Sequence, residues 1–231
     1  MFGDTRVGIL VVAYNAQSTL AATLDRIPAE VAAEVESVIV CDDASLDDTH
    51  ETALAYQRSH DKLPMRVVRH PVNLGYGGNQ KAGYQLAAEM GIDVVVLLHG
   101  DGQYAPEAML DVFAPLLVNR ADAVFGSRMM TRGGAREGGM PLYKYVGNKI
   151  LTKYENAMTG AGLSEWHSGY RAYRVSTLQK LPMDTYSNGF DFDTQIILGL
   201  IDAEARIKEV PIPTYYGDEI CYVDGMKYAK D

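Results

Sequence analysis

Residues 94–103 read VVVLLHGDGQ, an apolar run of strand length that leads directly into a polar cluster. The pattern recurs along the chain, and we predict strands at 7–13, 37–41, 65–69, 94–98 and 123–126. Amphipathic segments of helix length follow the first four of these runs, at 18–27, 47–59, 78–90 and 106–119. Such alternation is typical of an α/β protein in which helices connect the strands of a mostly parallel sheet.

The second part of the chain departs from this alternation. A stretch rich in glycine and arginine, residues 127–139, is interpreted as a mobile loop. After it we predict a helix at 141–158, a strand at 170–174, a helix at 191–201 and a strand at 207–211. A length of 231 residues fits one large domain, and nothing in the sequence resembles a linker.

The composition limits the possible functions. The formal net charge is −9, which argues against non-specific binding of DNA or RNA because phosphate affinity depends on clustered Lys and Arg. The first six residues are too short and polar for a signal peptide, and the apolar runs are shorter than a membrane span. Cys41 and Cys221 lie far apart, so we expect a reducing compartment and no disulfide. These features predict a cytoplasmic protein, either soluble or peripheral on a membrane.

Polar clusters follow the first four predicted strands, where a parallel sheet places its ligand. They are residues 13–16 (AYNA), 42–49 (DDASLDDT), 73–78 (NLGYGG) and 99–103 (HGDGQ). One such cluster is ordinary turn chemistry, because turns prefer Asp, Asn, Ser and Gly. Four clusters at one sheet edge indicate a binding site. Its candidate residues in and between the strand ends are Ala13, Tyr14, Asn15, Asp42, Asp43, Asn73, Gly75 and Gly100.

The adjacent carboxylates of Asp42 and Asp43 are candidates for binding a nucleotide, since Asp can accept hydrogen bonds from a base or from ribose hydroxyls. Asp47 is assigned to capping the helix that follows. The loop at Gly75 is a poor match to the dinucleotide fingerprint, which belongs after the first strand, and we interpret it as a close approach of backbone to a nucleotide. Lys81 is either a phosphate ligand or a solvated lysine.

The fourth cluster supplies the candidate metal ligands. His99, Asp101 and Gln103 occupy alternate positions, so they converge on one divalent cation if the backbone stays extended. Only Asp101 is a strong ligand for a hard metal, whereas His99 either ligates, hydrogen-bonds a phosphate or supports the loop. A cation would neutralise the charge of a departing diphosphate. Magnesium or manganese fits this chemistry, and manganese is preferred if His99 coordinates.

The order of these motifs resembles the family-2 glycosyltransferases with the GT-A fold. Within that family it is similar to the polyprenyl-phosphate sugar transferases of the dolichyl-phosphate mannosyltransferase type. The resemblance runs from about Val7 to Tyr216 and is carried by residues 42–49, 73–78, 126–128 (GSR), 168–174 (SGYRAYR) and 210–213 (VPIP). One position departs from the pattern, because His99 replaces the first carboxylate of the family's usual Asp-x-Asp metal motif.

The resemblance implies a GT-A fold, α/β with a Rossmann-like and mostly parallel central sheet flanked by helices, in one catalytic domain over 1–231. Residues 1–126 would form the half that binds the nucleotide sugar, and 127–231 the acceptor side. It further implies an inverting transfer from a UDP- or GDP-linked sugar to an acceptor. That acceptor would be a polyprenyl phosphate, met at a membrane surface or through a membrane-anchored partner.

The same resemblance implies roles for individual residues. Catalysis would involve Asp101, Asp191 and Arg128, and the metal would be held by Asp101, Gln103 and His99. A phosphate acceptor is already anionic and needs cations to hold it, which the sequence supplies as arginines. The residues implied for the acceptor phosphate are Ser168, Arg171 and Arg174. For Arg132 and Arg136 we favour a solvated surface position.

Other hypotheses remain open at this point. A family-2 transferase acting on a sugar hydroxyl would need a general base, for which Asp191 and Asp193 are the candidates. The resemblance favours Asp191, because the family carries an acidic residue in a similar place. A catalytically silent module that binds nucleotide sugars is conceivable because of His99. A nucleotidyltransferase is a weaker hypothesis, since a basic triphosphate loop after the first strand is missing. Residues 140–154 place lysines beside an apolar helix face, which we expect to pack in the core, with a membrane surface as the alternative.

Overall fold

A seven-stranded sheet forms the centre of the computed structural model, which describes residues 2–214. The strands are β1 Val7–Ala13, β2 Ser37–Asp42, β3 Met65–Arg69, β4 Val94–His99, β5 Ala123–Ser127, β6 Arg171–Arg174 and β7 Ile207–Pro211. Their order across the sheet is β3-β2-β1-β4-β6-β5-β7, and β6 is antiparallel to both of its neighbours while the other pairs are parallel. The predicted α/β class with a mostly parallel sheet is therefore confirmed.

Helices cover both faces of the sheet. They are α1 Leu20–Asp25, α2 Ala29–Ala32, α3 Thr49–Ser59, α4 Tyr76–Glu89, α5 Met109–Leu117, α6 Gly134–Glu137, α7 Leu142–Thr159, α8 Val175–Leu178 and α9 Phe192–Asp202. The cap position of α3 is occupied by Asp48, whose side chain makes no cap hydrogen bond, while Asp47, the predicted cap, accepts a hydrogen bond from the Thr49 backbone N–H at 3.1 Å just before the helix. Within the stretch predicted as a loop, 127–139, the short helix α6 buries Ala135.

The central strands are apolar throughout because both of their faces are buried. Along β1, Ile9 and Val11 pack into the core on one side of the sheet, while Leu10 and Val12 pack into the core on the other. A strand covered on both sides reads as a continuous hydrophobic run rather than an alternating one. The same reason explains why β4 could be identified from its sequence alone.

Strand β6 enters the sheet between β4 and β5 and runs in the opposite direction. Its first residue, Arg171, lies opposite Leu97, close to the end of β4, and its last residue, Arg174, lies opposite Val94 at the start of β4. The carboxyl ends of β1, β2 and β4 therefore share one edge of the sheet with the beginning of β6. This edge carries the polar clusters.

The cysteines and the membrane-span prediction can be compared with the described residues. Cys41 is buried, and burial raises the pKa of its thiol to about 12, as expected for an inert core residue. Cys221 and Tyr216 lie outside the described residues. Within residues 2–214, none of the helices combines the length and the apolar character that a membrane span requires.

Asp122 ties the start of β5 to the start of β7 and makes the stability of the fold depend on pH. Arg206 donates to its carboxylate from the backbone N–H at 2.9 Å and from Nε at 2.8 Å. These hydrogen bonds lower the pKa of Asp122 from 3.8 to about 2. Because the folded-state pKa is depressed, the contribution is complete above the unfolded value and is lost as pH falls toward 2.

We expect Asp122→Asn to lower the free energy of unfolding by about 1 kcal/mol at pH 7, less than the pKa shift alone would give, because Arg206 is half-exposed and solvent weakens the interaction. Urea titrations of the wild type and the variant from pH 7 to pH 3 measure this difference. The difference should narrow by about half at pH 3, because the Asp122 carboxyl of the unfolded wild-type chain, whose pKa is near 3.8, is by then mostly protonated. A difference that stays constant over this range would mean that Arg206 does not stabilise the ionised form.

Candidate functional site

The four polar clusters meet at one edge of the sheet, as the sequence predicts. The register places Ala13 beside Asp42 and Val12 beside His99, so the ends of β1, β2 and β4 are in line. The cluster after β1 and the cluster after β2 are joined directly. The Asn15 backbone N–H donates to the Ser45 hydroxyl at 2.9 Å, and the Asn15 side chain accepts from the Leu46 N–H at 2.9 Å. Tyr14, in the cluster after β1, is 36% exposed to solvent.

The carboxylates of Asp42 and Asp43 are both buried. Asp42 accepts hydrogen bonds from the backbone N–H and the hydroxyl of Ser45, and its second oxygen lies 3.4 Å from the Arg69 Nε atom. Asp43 accepts from the backbone N–H groups of Leu74 at 2.7 Å and Gly75 at 3.0 Å. Burial raises the pKa of Asp43, and the two backbone donors oppose that rise. Both acids thus shape the loops around the predicted nucleotide position.

The glycine loop packs against protein. Gly75 has a φ of +80°, and a Cβ atom there would lie 2.6 Å from the Asn188 carbonyl oxygen. The same carbonyl accepts a hydrogen bond from the Gly77 N–H at 2.8 Å. Asn73 fixes the loop from the other side by donating to the Asp43 carbonyl at 3.0 Å. The close approach that these glycines permit is therefore to the segment before α9.

Lys81 contacts that same segment. Its ammonium donates to the Tyr186 carbonyl at 2.8 Å and lies 6.0 Å from the centre of the Phe192 ring. Lys81 therefore links α4 to the segment before α9. This role differs from the two predicted for it, a phosphate ligand or a solvated lysine. Its assignment to phosphate stays a prediction.

Substituting alanine for Gly75 is expected to lower the free energy of unfolding by about 2–3 kcal/mol, because the left-handed φ and the contact with backbone both oppose a side chain. Gly147 in α7 is the matched control, since nothing lies within 4 Å of a Cβ atom there. Gly147→Ala should stabilise the protein by about 0.5–1 kcal/mol, the usual gain in a helix. Urea unfolding of both variants tests the opposite signs, and equal effects would contradict the packing described for Gly75.

The fourth cluster does not stay extended. Strand β4 ends at His99, the chain turns, and Gly102 has a φ of +77°. The Asp101 carboxylate accepts the Gln103 N–H at 3.0 Å across this turn. The three residues share one face only in an extended backbone, and here the backbone turns after His99. The prediction that His99, Asp101 and Gln103 converge on one cation is therefore corrected. In the described part of the chain, no group of three or more His, Cys, Asp or Glu side chains could hold a metal ion.

His99 packs among aromatic rings. Its ring centre lies 5.0 Å from that of Tyr104, and its Nε2 atom lies 3.5 Å from the Tyr76 hydroxyl. A Cβ atom on Gly169 would come within 2.8 Å of the same Nε2 atom, so a glycine is needed beside the imidazole. Burial lowers the pKa of His99. Of the three roles considered for His99, support of the loop agrees best with these contacts.

A buried polar network lies beneath His99. The Tyr76 hydroxyl donates to the Asp193 carboxylate at 2.9 Å, and the Gln80 amide donates to its other oxygen at 3.4 Å. The Arg171 Nη1 atom lies 3.6 Å from that second oxygen. Asp191, the acid preferred from sequence, lies at the start of α9 and accepts from the Ser187 hydroxyl at 2.7 Å. Asp193, two positions later, is thus the acid at the centre of this polar network.

Arg171 is buried with all three of its nitrogen atoms engaged. Nε donates to the Ser168 carbonyl at 2.7 Å, Nη1 to the Asp193 carbonyl at 2.9 Å and Nη2 to the Trp166 carbonyl at 2.9 Å. Its side chain is 1% exposed, so it positions the surrounding backbone. The Ser168 hydroxyl is buried beside it and accepts the Tyr170 N–H at 3.4 Å.

Arg174 does not join this group. Because β6 is antiparallel to β4, Arg174 lies at the opposite edge of the sheet, where it donates to the carbonyls of Leu116 and Ala121. Its predicted place beside the acceptor phosphate is corrected by the direction of the strand.

Comparison with known proteins decides the family. Residues 8–181 match the family model described as Glycosyl transferase family 2. The chain belongs to this family. The resemblance inferred from the motifs is thereby confirmed, and the protein is a family-2 glycosyltransferase.

Curated relatives of this family-2 glycosyltransferase cover most of its length. Undecaprenyl-phosphate mannosyltransferase of Micrococcus luteus is 31% identical over 90% of this chain and 82% of the relative. Polyprenol monophosphomannose synthase of Mycolicibacterium smegmatis is 28% identical over 90% of this chain and 76% of the relative. An uncharacterized protein of Methanocaldococcus jannaschii, MJ1222, is 29% identical over 90% of this chain and 81% of the relative.

A solved structure shares the fold. The glucosyl-3-phosphoglycerate synthase of Mycobacterium tuberculosis, crystallised with Mn²⁺, uridine diphosphate and phosphoglyceric acid, superposes with a TM-score of 0.68. The match covers 93% of this chain and 72% of that chain at 20% identity. The neighbour therefore establishes the GT-A architecture of this glycosyltransferase and nothing about its substrates.

Arg128 of this glycosyltransferase is held by an acid that sequence reasoning missed. Glu165, whose side chain is fully buried, accepts from the Arg128 backbone N–H at 2.7 Å and from its Nε at 2.9 Å. The Arg128 side chain also donates to the His167 carbonyl at 2.9 Å and is 12% exposed. The pair fixes the start of the 127–139 segment against residues 165–167. Sequence gave no signal for it, because the two partners lie 37 positions apart.

Proposed function

We propose that this glycosyltransferase moves a sugar from a UDP- or GDP-linked donor to a polyprenyl phosphate, with inversion at the anomeric carbon. The observation that carries the proposal is the 31% identity, over nine tenths of the chain, to an undecaprenyl-phosphate mannosyltransferase. Two further relatives of similar coverage are named for polyprenol or dolichyl phosphate. In the reaction, a phosphate oxygen of the acceptor forms a bond to the anomeric carbon as the bond to the nucleoside diphosphate breaks.

The donor nucleotide is assigned to the edge formed by the ends of β1 and β2. Ala13, Tyr14 and Asn15 would line one side of the nucleotide and the Asp42–Asp43 pair the other. Asp42 supports this assignment because its buried Oδ2 atom, which lies 3.4 Å from the Arg69 Nε atom, has no hydrogen-bond partner among the described residues. Such an oxygen can accept from a base or a ribose hydroxyl. Further residues assigned to the nucleotide are Asn73, Gly75, Lys81 and Gly100.

A divalent cation, magnesium or manganese, fits the residues present through Asp101. Magnesium usually binds through one or two carboxylates together with substrate phosphates, so a preformed cage of side chains is not needed. Asp101 is half-buried on the turn after β4, and one of its oxygens already has a partner in the Gln103 N–H at 3.0 Å. When bound, the cation would neutralise the charge that develops on the departing diphosphate.

The acceptor side of the site favours a nucleophile that is already anionic. Asp193, the acid nearest the centre, is occupied by Tyr76 and Gln80 and lies beside Arg171. A carboxylate held in this way is poorly placed to remove a proton from a sugar hydroxyl. A phosphate needs no such base. Arg128 and Ser168 are assigned to contact the acceptor phosphate, with Arg171 holding the Ser168 backbone in place.

The test is transfer of radiolabelled sugar to undecaprenyl phosphate dispersed in detergent, with UDP- and GDP-linked hexoses as donors and Mg²⁺ or Mn²⁺ present. We expect an organic-extractable product from at least one donor and none when the acceptor is replaced by undecaprenol. Transfer only to a soluble glycan would overturn the proposed acceptor. Donor binding without turnover toward any acceptor would favour the silent module.

A sugar hydroxyl acceptor remains the second candidate, because Asp191 is half-exposed beside Phe190 and could serve as its base. Asp191→Asn separates the two. Loss of transfer in that variant, with donor binding retained, would favour the hydroxyl acceptor, whereas rates near the wild type would favour the phosphate.

A further inference from the structure

Helix α7 has its apolar face turned toward solvent. Six large apolar side chains, each 44–73% exposed, lie along its outer side: Leu142, Tyr143, Val146, Ile150, Tyr154 and Met158. Five of them follow one another at steps of four residues, which places them in a continuous stripe. We call these six residues the outer face. In a soluble helix such a stripe normally points to the core, so the arrangement here is reversed and the prediction of core packing is wrong.

The inner side of α7 includes three polar residues whose partners fix the orientation of the helix. Asn148 donates to the Glu165 carboxylate at 2.8 Å, and the Thr152 hydroxyl accepts the Trp166 backbone N–H at 3.3 Å. Asn156 accepts the Trp166 indole N–H at 2.9 Å. Rolling the helix to bury the outer face would break these hydrogen bonds and leave their buried partners unsatisfied. The outer face is therefore a fixed feature of the surface.

The charge on this surface is basic in a protein that is acidic overall. Helix α7 contains three lysines, and its one acid, Glu155, lies 3.2 Å from the His167 Nε2 atom. Lys149 and Lys153 are exposed among the apolar residues of the outer face. Arg132 and Arg136, in and beside the adjoining helix α6, are exposed as well. This pattern complements an anionic surface, although the whole chain has a net charge of −9.

The helix also lies next to the acceptor side of the site. Glu165, which receives Asn148 from α7, is the residue that holds Arg128. The segment that begins at Glu165 leads within four residues to Gly169, which touches the His99 ring. A surface bound by the outer face would therefore lie beside the entrance for an acceptor.

We propose that the outer face of α7 docks this glycosyltransferase onto an anionic lipid bilayer, lying in the plane of the headgroups. The inference rests on the proposed function, because a polyprenyl phosphate must be reached at a membrane. Exposed aliphatic side chains, tyrosines at the interface and flanking lysines are the features of helices that lie on membranes. The occupant is thus a bilayer on the cytoplasmic side that carries negative headgroups.

A second copy of the chain fits this surface less well. Two copies related by a twofold axis would place the same patch against itself, so Lys149 and Lys153 would meet the same lysines of the other copy. A helix of 18 residues is about 27 Å long and about 10 Å wide, which offers roughly 300 Å². A stable dimer usually buries about 800 Å² per partner.

Co-sedimentation with vesicles tests the proposal, using phosphatidylcholine alone and phosphatidylcholine with about 30% phosphatidylglycerol. The wild type is expected to bind the anionic vesicles, and Val146→Glu/Ile150→Glu to bind at least tenfold more weakly, because two buried aliphatic side chains are lost. Val118→Glu is the matched control, since Val118 is 62% exposed at the end of α5, and it should bind like the wild type. Lys149→Gln and Lys153→Gln should each weaken binding about fivefold on anionic vesicles only.

Three results would overturn the docking: no binding of the wild type to anionic vesicles, equal binding by the double variant, or a solution dimer that Ile150→Glu dissociates. The failure of docking can be told apart from failure of the proposed function. Transfer to detergent-dispersed undecaprenyl phosphate without vesicle binding would remove the docking and leave the function. Vesicle binding without transfer to any polyprenyl phosphate would overturn the proposed function and leave the docking.

Discussion

Replacing Asp101 with asparagine is expected to lower the kcat of sugar transfer about 1,000-fold. Under the proposed function, Asp101 is the carboxylate that holds the cation at the departing diphosphate. Loss of that charge stabilisation costs several kcal/mol, and about 4 kcal/mol corresponds to this factor. Asparagine keeps the oxygen that accepts the Gln103 N–H at 3.0 Å, so the turn after β4 should keep its shape.

Initial rates at saturating donor, with Mg²⁺ and with Mn²⁺, measure the effect. Asp111→Asn is the matched control because Asp111 is exposed on α5 and undergoes the same chemical change. Its rate should stay within about twofold of the wild type, as expected for a surface change remote from the site. If Asp101→Asn kept more than a tenth of the wild-type rate, the cation could not depend on this carboxylate.

Truncating Arg171 to alanine is expected to lower the free energy of unfolding by about 3–5 kcal/mol. The change leaves the Asp193 carboxylate buried without its cation and leaves three backbone carbonyls without their donor. Breaking a buried ion pair by removing one partner has a cost of about this size. Since domains are stable by only about 5–15 kcal/mol, much of the native stability would be lost.

Urea unfolding provides the measurement, and a second substitution tests its cause. Adding Asp193→Asn to Arg171→Ala should recover about 1–3 kcal/mol, because the uncompensated charge is removed. The exposed pair of Arg26 with Glu107, at 2.8 Å, is the control. Arg26→Ala should cost less than about 1 kcal/mol. Additive effects of the two changes at Arg171 and Asp193 would show that the ion pair is not coupled.

Strands β1 and β4 could be predicted from sequence because they are buried on both faces. Observed β1 and β3 begin and end at the predicted residues, and β4 differs by one residue at its end. Continuous apolar runs bounded by polar turns leave little choice in such a sheet. The convergence of the four polar clusters could also be predicted, because parallel strands have their carboxyl ends at the same edge of the sheet.

The direction of β6 could not be predicted in this way. A short strand has the same periodicity whether it runs up or down the sheet. The resemblance therefore assigned Arg171 and Arg174 together to the acceptor phosphate, although they lie at opposite ends of β6. The contacts of Asp193 depend on a similar detail. Helix α9 begins at Phe192, and this starting point turns Asp193 toward Tyr76, a partner 117 positions away.

Local geometry explains the error at the fourth cluster. His99, Asp101 and Gln103, at alternate positions, would lie on the same face only if the backbone were extended. The turn after β4 removes this alternation of faces. The outer face of α7 has a related explanation. Sequence shows that a helix has an apolar side, but the partners of its polar side, residues 163–166, become visible only in the fold.

The insertion of β6 has a consequence for synthesis of the chain. β5 pairs only with β6 and β7 among the described strands, so it has no neighbour when it leaves the ribosome. At about 5–20 residues per second, roughly two to nine seconds pass before β6 follows. During that interval the nascent β1–β4 unit exposes one edge of β4, and a chaperone that shields this edge would protect the newborn enzyme from mispairing.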